Sequence, residues 1–160
     1  MNNPSQRSGG SRPQSQTQKE APTAVKVVYY KDKARKILDP ELLDQKAQEQ
    51  ANKFPDVNDK NRKDKLSKSQ IRRFFGAIKN LHFQLENGRS WEQVLPLFKM
   101  FQSKVAYAKR SGGKKIPEEF AVFLEENIKL VGNDEDNFRA FVLYFEAVLG
   151  FAYGNNKIGE

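Results

Sequence analysis

Lysine and arginine gather in two short stretches of this 160-residue chain. Lys65, Lys68, Arg72 and Arg73 lead into and enter one apolar stripe, and Lys104, Lys109, Arg110, Lys114 and Lys115 close another. Ammonium and guanidinium groups at this density do electrostatic chemistry: they neutralise phosphates and release the counterions held there. Solvated helix faces carry lysines too, so the spacing by itself supports binding only modestly. Arg72 and Arg73 are the better signal. They adjoin Ile71, Phe74, Phe75, Ile78, Leu81, His82 and Leu85, which recur at helical spacing. That stripe fixes the buried face and therefore where the arginines point.

Two helices must hold these groups. Ser67 with Gln70 forms a capping-box pattern for the first, and Gly88 lies just past its end. Ser90 with Gln93 repeats the pattern for the next, where Pro96 in the second turn is expected to bend or delay the regular part. The short turn Asn87–Gly88–Arg89–Ser90 makes the pair an antiparallel hairpin. The start of one helix then lies beside the end of the other, and the two basic clusters meet at one end. Such a surface suits several phosphates, whereas no motif for reading base edges is visible.

Three further helices complete an all-α reading, a compact bundle of about five helices with a disordered basic N-terminal arm. Asp39 and Pro40 are expected to open the earliest, running to about Asn52, and the charged loop from Phe54 to Lys65 should be mobile. Pro117, Glu118 and Glu119 start another, which Gly132 stops. Asn133 opens the last, apolar nearly all round and therefore enclosed. Residues 1 to about 23 are rich in Ser, Gln, Pro and Gly and cannot offset the entropy of ordering. The run from Ala24 to Tyr30 is β-like; Tyr29 and Tyr30 are expected to anchor it on the core, with base stacking as the lesser role. The division expected is an arm over 1–36, a bundle over 37–154 and a short tail over 155–160.

Charge is split along the chain. Residues 1–115 hold 25 Lys and Arg against 11 Asp and Glu, whereas residues 116–160 hold 3 against 9, for an overall +8. A polyanion would be drawn to the first part, and the same polarity would favour head-to-tail contact between copies. Cysteine is absent, so disulfides, thiolate metal sites and cysteine nucleophiles are excluded, and cytosol is the default compartment. The N-terminus lacks the apolar core of a secretory signal. Phe138–Tyr153, the most apolar segment, contains Arg139 and Glu146 and is shorter than the roughly 20 residues a membrane span needs, so it reads as a buried helix.

A catalytic set is not visible. His82 is the single histidine and sits at the edge of an apolar stripe, the place of a packed residue more than of a general base. The carboxylates Glu118, Glu119, Glu125, Glu126 and Asp134 to Asp136 mark helix starts and solvent faces. No phosphate-binding glycine loop occurs, and no cofactor or metal is implied.

The runs Ser69–Phe75, SQIRRFF, and Lys104–Arg110, KVAYAKR, in this order and ahead of an apolar helix pair, resemble the small subunit of type III-A CRISPR effector complexes, the Csm complex. The resemblance covers about residues 65–153 and leaves out Pro96 and the N-terminal extension as features of its pattern. It implies a non-catalytic subunit, present in several copies, that stacks alongside the backbone subunits, meets the large subunit, and lines the path of guide RNA and target RNA. Arg72, Arg73, Lys109 and Arg110 fall within the matching runs and are the leading candidates for RNA contact. A stand-alone helical RNA- or DNA-binding protein, or a purely structural adaptor, are the competing readings.

Overall fold

The computed structural model describes Met1, residues 20–110 and residues 115–160. Five helices form its body: α1 (Gln45–Asn52), α2 (Lys68–Glu86), α3 (Trp91–Ala108), α4 (Glu118–Val131) and α5 (Glu135–Gly154). Two short ladders trim the bundle. β1 (Tyr30–Asp32) pairs antiparallel with β2 (Ile37–Leu38), and β3 (Leu66–Ser67) pairs parallel with β4 (Ile158–Gly159). The all-α bundle expected from the sequence is the fold observed.

α5 is the centre because apolar residues cover most of its circumference. Phe138, Phe141, Val142, Tyr144, Phe145, Val148, Leu149 and Ala152 are all buried, and α1, α2 and α4 pack around it. Its rings interlock with those of the other helices: Phe145 meets Phe75 at 5.0 Å and Phe123 at 5.2 Å, and Phe138 meets Phe98 at 5.1 Å between centroids. Separations of this size give edge-on contacts worth more than the buried area alone. Among the described residues no helix is long and apolar enough to cross a membrane.

Most helix ends follow the chemistry expected. The capping boxes Ser67/Gln70 and Ser90/Gln93 both form. Gly88 and Gly132 adopt φ of 88° and 58°, where a Cβ is strained, and each ends a helix. Three expectations shift. α1 begins at Gln45 and not at Pro40, because Asp39 caps a separate turn through the Glu41 amide and holds the Lys46 side chain, while Asp44 leaves helical geometry. α5 is capped by Asp134, whose carboxylate accepts from the Asn137 amide at 2.9 Å, one residue after the expected Asn133. α3 is regular from Trp91, ahead of Pro96, so the proline does not delay it.

The packed unit also reaches back before residue 37. Tyr29 is 3% exposed and donates to Asn127 Oδ1 of α4 at 2.8 Å; the Val25 amide donates to Gln50 of α1, and the Tyr30 hydroxyl to the Asp136 carbonyl of α5. Residues 24–38 thus form a strap across three helices, with both tyrosines as its anchors. The expected tail over residues 1–23 falls largely on 2–19, outside the described residues.

Candidate nucleic-acid interface

The hairpin of α2 and α3 does bring its two ends together. Gln70 Nε2, in the first turn of α2, donates to the Lys115 carbonyl at 3.2 Å, and the Ile116 amide closes the end of α3 on the Ala108 carbonyl. Beneath them Phe74 and Phe101 meet edge-on at 5.9 Å. These contacts place the start of α2 against the end of α3, the arrangement that a short antiparallel connection demands.

The nine expected cations have different fates. Lys65 Nζ donates to the Val57 carbonyl at 2.5 Å, and Lys68 pairs with Glu160. Lys109 is held between Glu118 at 3.2 Å and Glu125 at 3.1 Å. Burial alone would push its ammonium pKa down, but the bonds to Glu125 and Glu118 outweigh it and hold the pKa above its ordinary value. Lys114 lies outside the described residues.

Arg72, Arg73, Lys104, Arg110 and Lys115 remain exposed, and among the described residues none of them forms an ion pair. The guanidinium carbon of Arg73 lies over the Phe74 ring, 4.8 Å from its centroid, a cation–π contact that orients the charged head of an otherwise exposed side chain. The Lys68 hydrogen bond, with a smaller contribution from the charge of Arg72, holds the Glu160 carboxyl below the usual range. The adjoining start of α2 and end of α3 thus carry five exposed cations with no ion pair among the described residues, groups suited to an anion with several charges.

Two features of this region escape sequence reasoning. The residues after α5 return to the start of α2 as β4, burying Ile158 and delivering Glu160 to Lys68. A two-residue strand has no periodicity to detect. The charged loop before α2 is pinned at Arg62, whose guanidinium donates to both Glu119 carboxylate oxygens, at 2.7 and 3.0 Å, and to both of Asp64. Such bidentate pairing is specific in space and silent in sequence. His82 lies at the edge of the packed stripe, with Nε2 3.8 Å from Glu86, and burial pushes its pKa down. Among the described residues no group of three or more metal-ligating side chains converges.

No curated protein and no solved structure matches the chain. Residues 38–155, which hold all five helices and the unpaired cations at the hairpin end, match the family model described as Csm2 Type III-A, and the chain belongs to this family, the small subunit of type III-A CRISPR complexes.

Proposed function

We propose that the chain is a non-catalytic, cytoplasmic subunit that stacks in several copies within the complex and contacts the phosphate backbone of guide and target RNA through the hairpin end. The observations that support this reading are that the start of α2 and the end of α3 adjoin and that Arg72, Arg73, Lys104, Arg110 and Lys115, carried there, are all exposed, none of them within ion-pair distance of a carboxylate of the described residues. Unpaired cations are the ones available for counterion release, since a cation already paired must first lose its partner. Lys65, Lys68 and Lys109 belong to the fold's internal contacts and have a supporting role.

The test is Arg72→Ala with Arg73→Ala, read in the assembled complex. Both side chains are exposed, so the subunit should keep its helical signal and melting transition. The salt slope of target RNA binding should become shallower by roughly 0.7 for each single-strand phosphate no longer neutralised. Equal slopes for wild type and variant would overturn the reading in favour of a structural adaptor.

A further inference from the structure

Three aromatic side chains stand well out in solvent among the described residues: Phe83, Tyr107 and Tyr153, at 64, 74 and 45% exposure. Two of them have no free cation one turn away on their own helix. Lys79, a turn before Phe83, pairs with Glu146 at 3.2 Å, and Glu86, a turn after it, takes Arg139. Beyond Tyr153, Lys157 lies 3.9 Å from Asp56. Tyr107 differs. Lys104 precedes it by one turn on α3, Arg110 lies two residues past the helix end with its amide turned back onto the Tyr107 carbonyl at 3.2 Å, and neither forms an ion pair with a described residue. Among the described residues its ring contacts no other ring, and its hydroxyl has no partner.

We propose that Tyr107 is a stacking platform for an unpaired base of single-stranded RNA, with Lys104 and Arg110 holding the phosphates on either side. The proposal rests on the phosphate-contact reading and adds a ligand class to it. An aromatic face accepts any base, so it supplies affinity without sequence preference, in keeping with the absence of a motif for reading base edges. A duplex keeps its bases inside the stack and offers this ring nothing to bind.

Charge favours RNA over a second copy of the chain as the occupant. The exposed stripe of α3 continues from Tyr107 to Met100, an apolar side chain that a protein partner would also cover. Yet such a partner would have to meet Lys104 and Arg110 with acids; every Asp and Glu side chain in residues 116–160 already lies in an internal ion pair, which leaves a second copy Glu20, Asp32, Asp44, Glu49, Asp59 and Glu92 among the described residues, none of them from the acidic third of the chain. Pairing this face with its own copy would oppose like charges.

The experiment uses the full-length chain, a uridine-rich single-stranded RNA carrying one 2-aminopurine, and a duplex of the same length. Wild type should quench the 2-aminopurine. Tyr107→Ala should abolish the quenching and lower single-strand affinity roughly 5- to 150-fold, with the salt slope and duplex affinity unchanged. Tyr107→Phe, which keeps the ring, should bind as wild type does. The proposal is overturned if Tyr107→Ala binds like wild type, if Tyr107→Phe loses as much, or if strand and duplex weaken together. It is overturned equally if Tyr107→Ala changes the sedimentation of the RNA-free chain, which would assign the stripe to a second copy. A shallower slope for the Arg72/Arg73 variant beside an inert Tyr107→Ala would remove stacking and leave the phosphate reading standing.

Discussion

The hairpin end and the start of α5 are both dense in charge, but they treat it in opposite ways. At the start of α5, Asp134 receives Lys33, Asp136 receives Lys36 and Glu135 receives Arg139. At the hairpin end five cations are left without carboxylate partners among the described residues. The contrast extends to the whole C-terminal third: all nine acidic side chains of residues 116–160 lie in ion pairs, seven of them with cations from residues 1–115. The linear division of charge is therefore folded back on itself. A basic half facing an acidic half along the chain becomes, in space, internal pairing plus a set of cations at the hairpin end that form no ion pair among the described residues. This weakens the inference from linear polarity to head-to-tail contact and strengthens the one from Arg72 and Arg73.

The two regions stay distinct only while a rigid core keeps them apart, and the largest effect is expected there. Phe145 is fully buried and its ring meets those of Phe75, Phe120, Phe123 and Phe141. Phe145→Ala should cost about 3–5 kcal/mol in denaturant unfolding. A loss well below 1 kcal/mol would move this residue out of the centre and undo the placement of both regions.

Next comes the strap, which carries Lys33 and Lys36 to the acids of α5. The sequence makes residues 1–36 look dispensable for folding; Tyr29 argues otherwise. Its hydroxyl satisfies Asn127, itself 3% exposed, so Tyr29→Phe leaves a buried amide oxygen without its donor, at a cost of about 1–3 kcal/mol. Deleting residues 1–36 should cost more, since the buried ring and the β1–β2 ladder go as well. Thermal melts of wild type, Tyr29→Phe and the deletion should fall in that order. An unchanged melt for the deletion would restore residue 37 as the start of the domain.

What the sequence made legible follows from periodicity and capping. α2 and α3 announce themselves through two capping boxes and continuous apolar stripes, and their hairpin needs only a short turn. The strap and β4 could not be read in the same way, because Tyr29 and Ile158 are single anchors in short segments and a lone anchor has no period. The site divides similarly. Which cations exist is plain in the sequence, and Arg72 and Arg73 could be aimed from the stripe beside them. Which cations stay free depends on acids distant in sequence: Glu160 comes back to Lys68, and Glu118 and Glu125 close on Lys109. Tyr107 lay in a run singled out for its cations; its exposure sets it apart from the packed aromatics, and the unpaired Lys104 and Arg110 set it apart from Phe83 and Tyr153.

The Arg62 clamp ties the charged loop to α4 beside the hairpin end, and its effect should be intermediate. Burial raises the Glu119 pKa, but the Arg62 hydrogen bond outweighs it, and the net shift is downward; Asp64 is lowered chiefly by the same guanidinium. A depressed carboxylate stabilises the fold above its ordinary pKa, 4.5 for Glu119 and 3.8 for Asp64, and that stability is lost as pH falls through the folded values. Arg62→Gln should therefore cost about 1–2 kcal/mol at neutral pH and flatten the decline in stability below about pH 4.5. Parallel stability curves for the two proteins from neutral to acid pH would mean that the clamp contributes nothing.

The smallest effects separate the two kinds of cation most sharply, because Lys109 and Arg110 are neighbours in sequence with opposite circumstances. Lys109 bridges Glu118 and Glu125, whereas Arg110 is exposed without an ion pair among the described residues. Lys109→Met keeps an apolar stem and removes only the bridges, so the loss should stay under about 1 kcal/mol, the usual range for pairs this open to water. The salt slope of RNA binding should not change, because the lysine's charge is already matched. Arg110→Ala should do the reverse: no measurable shift in melting temperature, and a slope shallower by roughly 0.7 if the arginine meets one single-strand phosphate. Melting and salt titrations on both variants form a single crossed comparison. Should Lys109→Met alter the slope while Arg110→Ala leaves it intact, pairing in the folded chain would not predict which cations meet RNA, and the distinction between the two regions would lose its functional meaning.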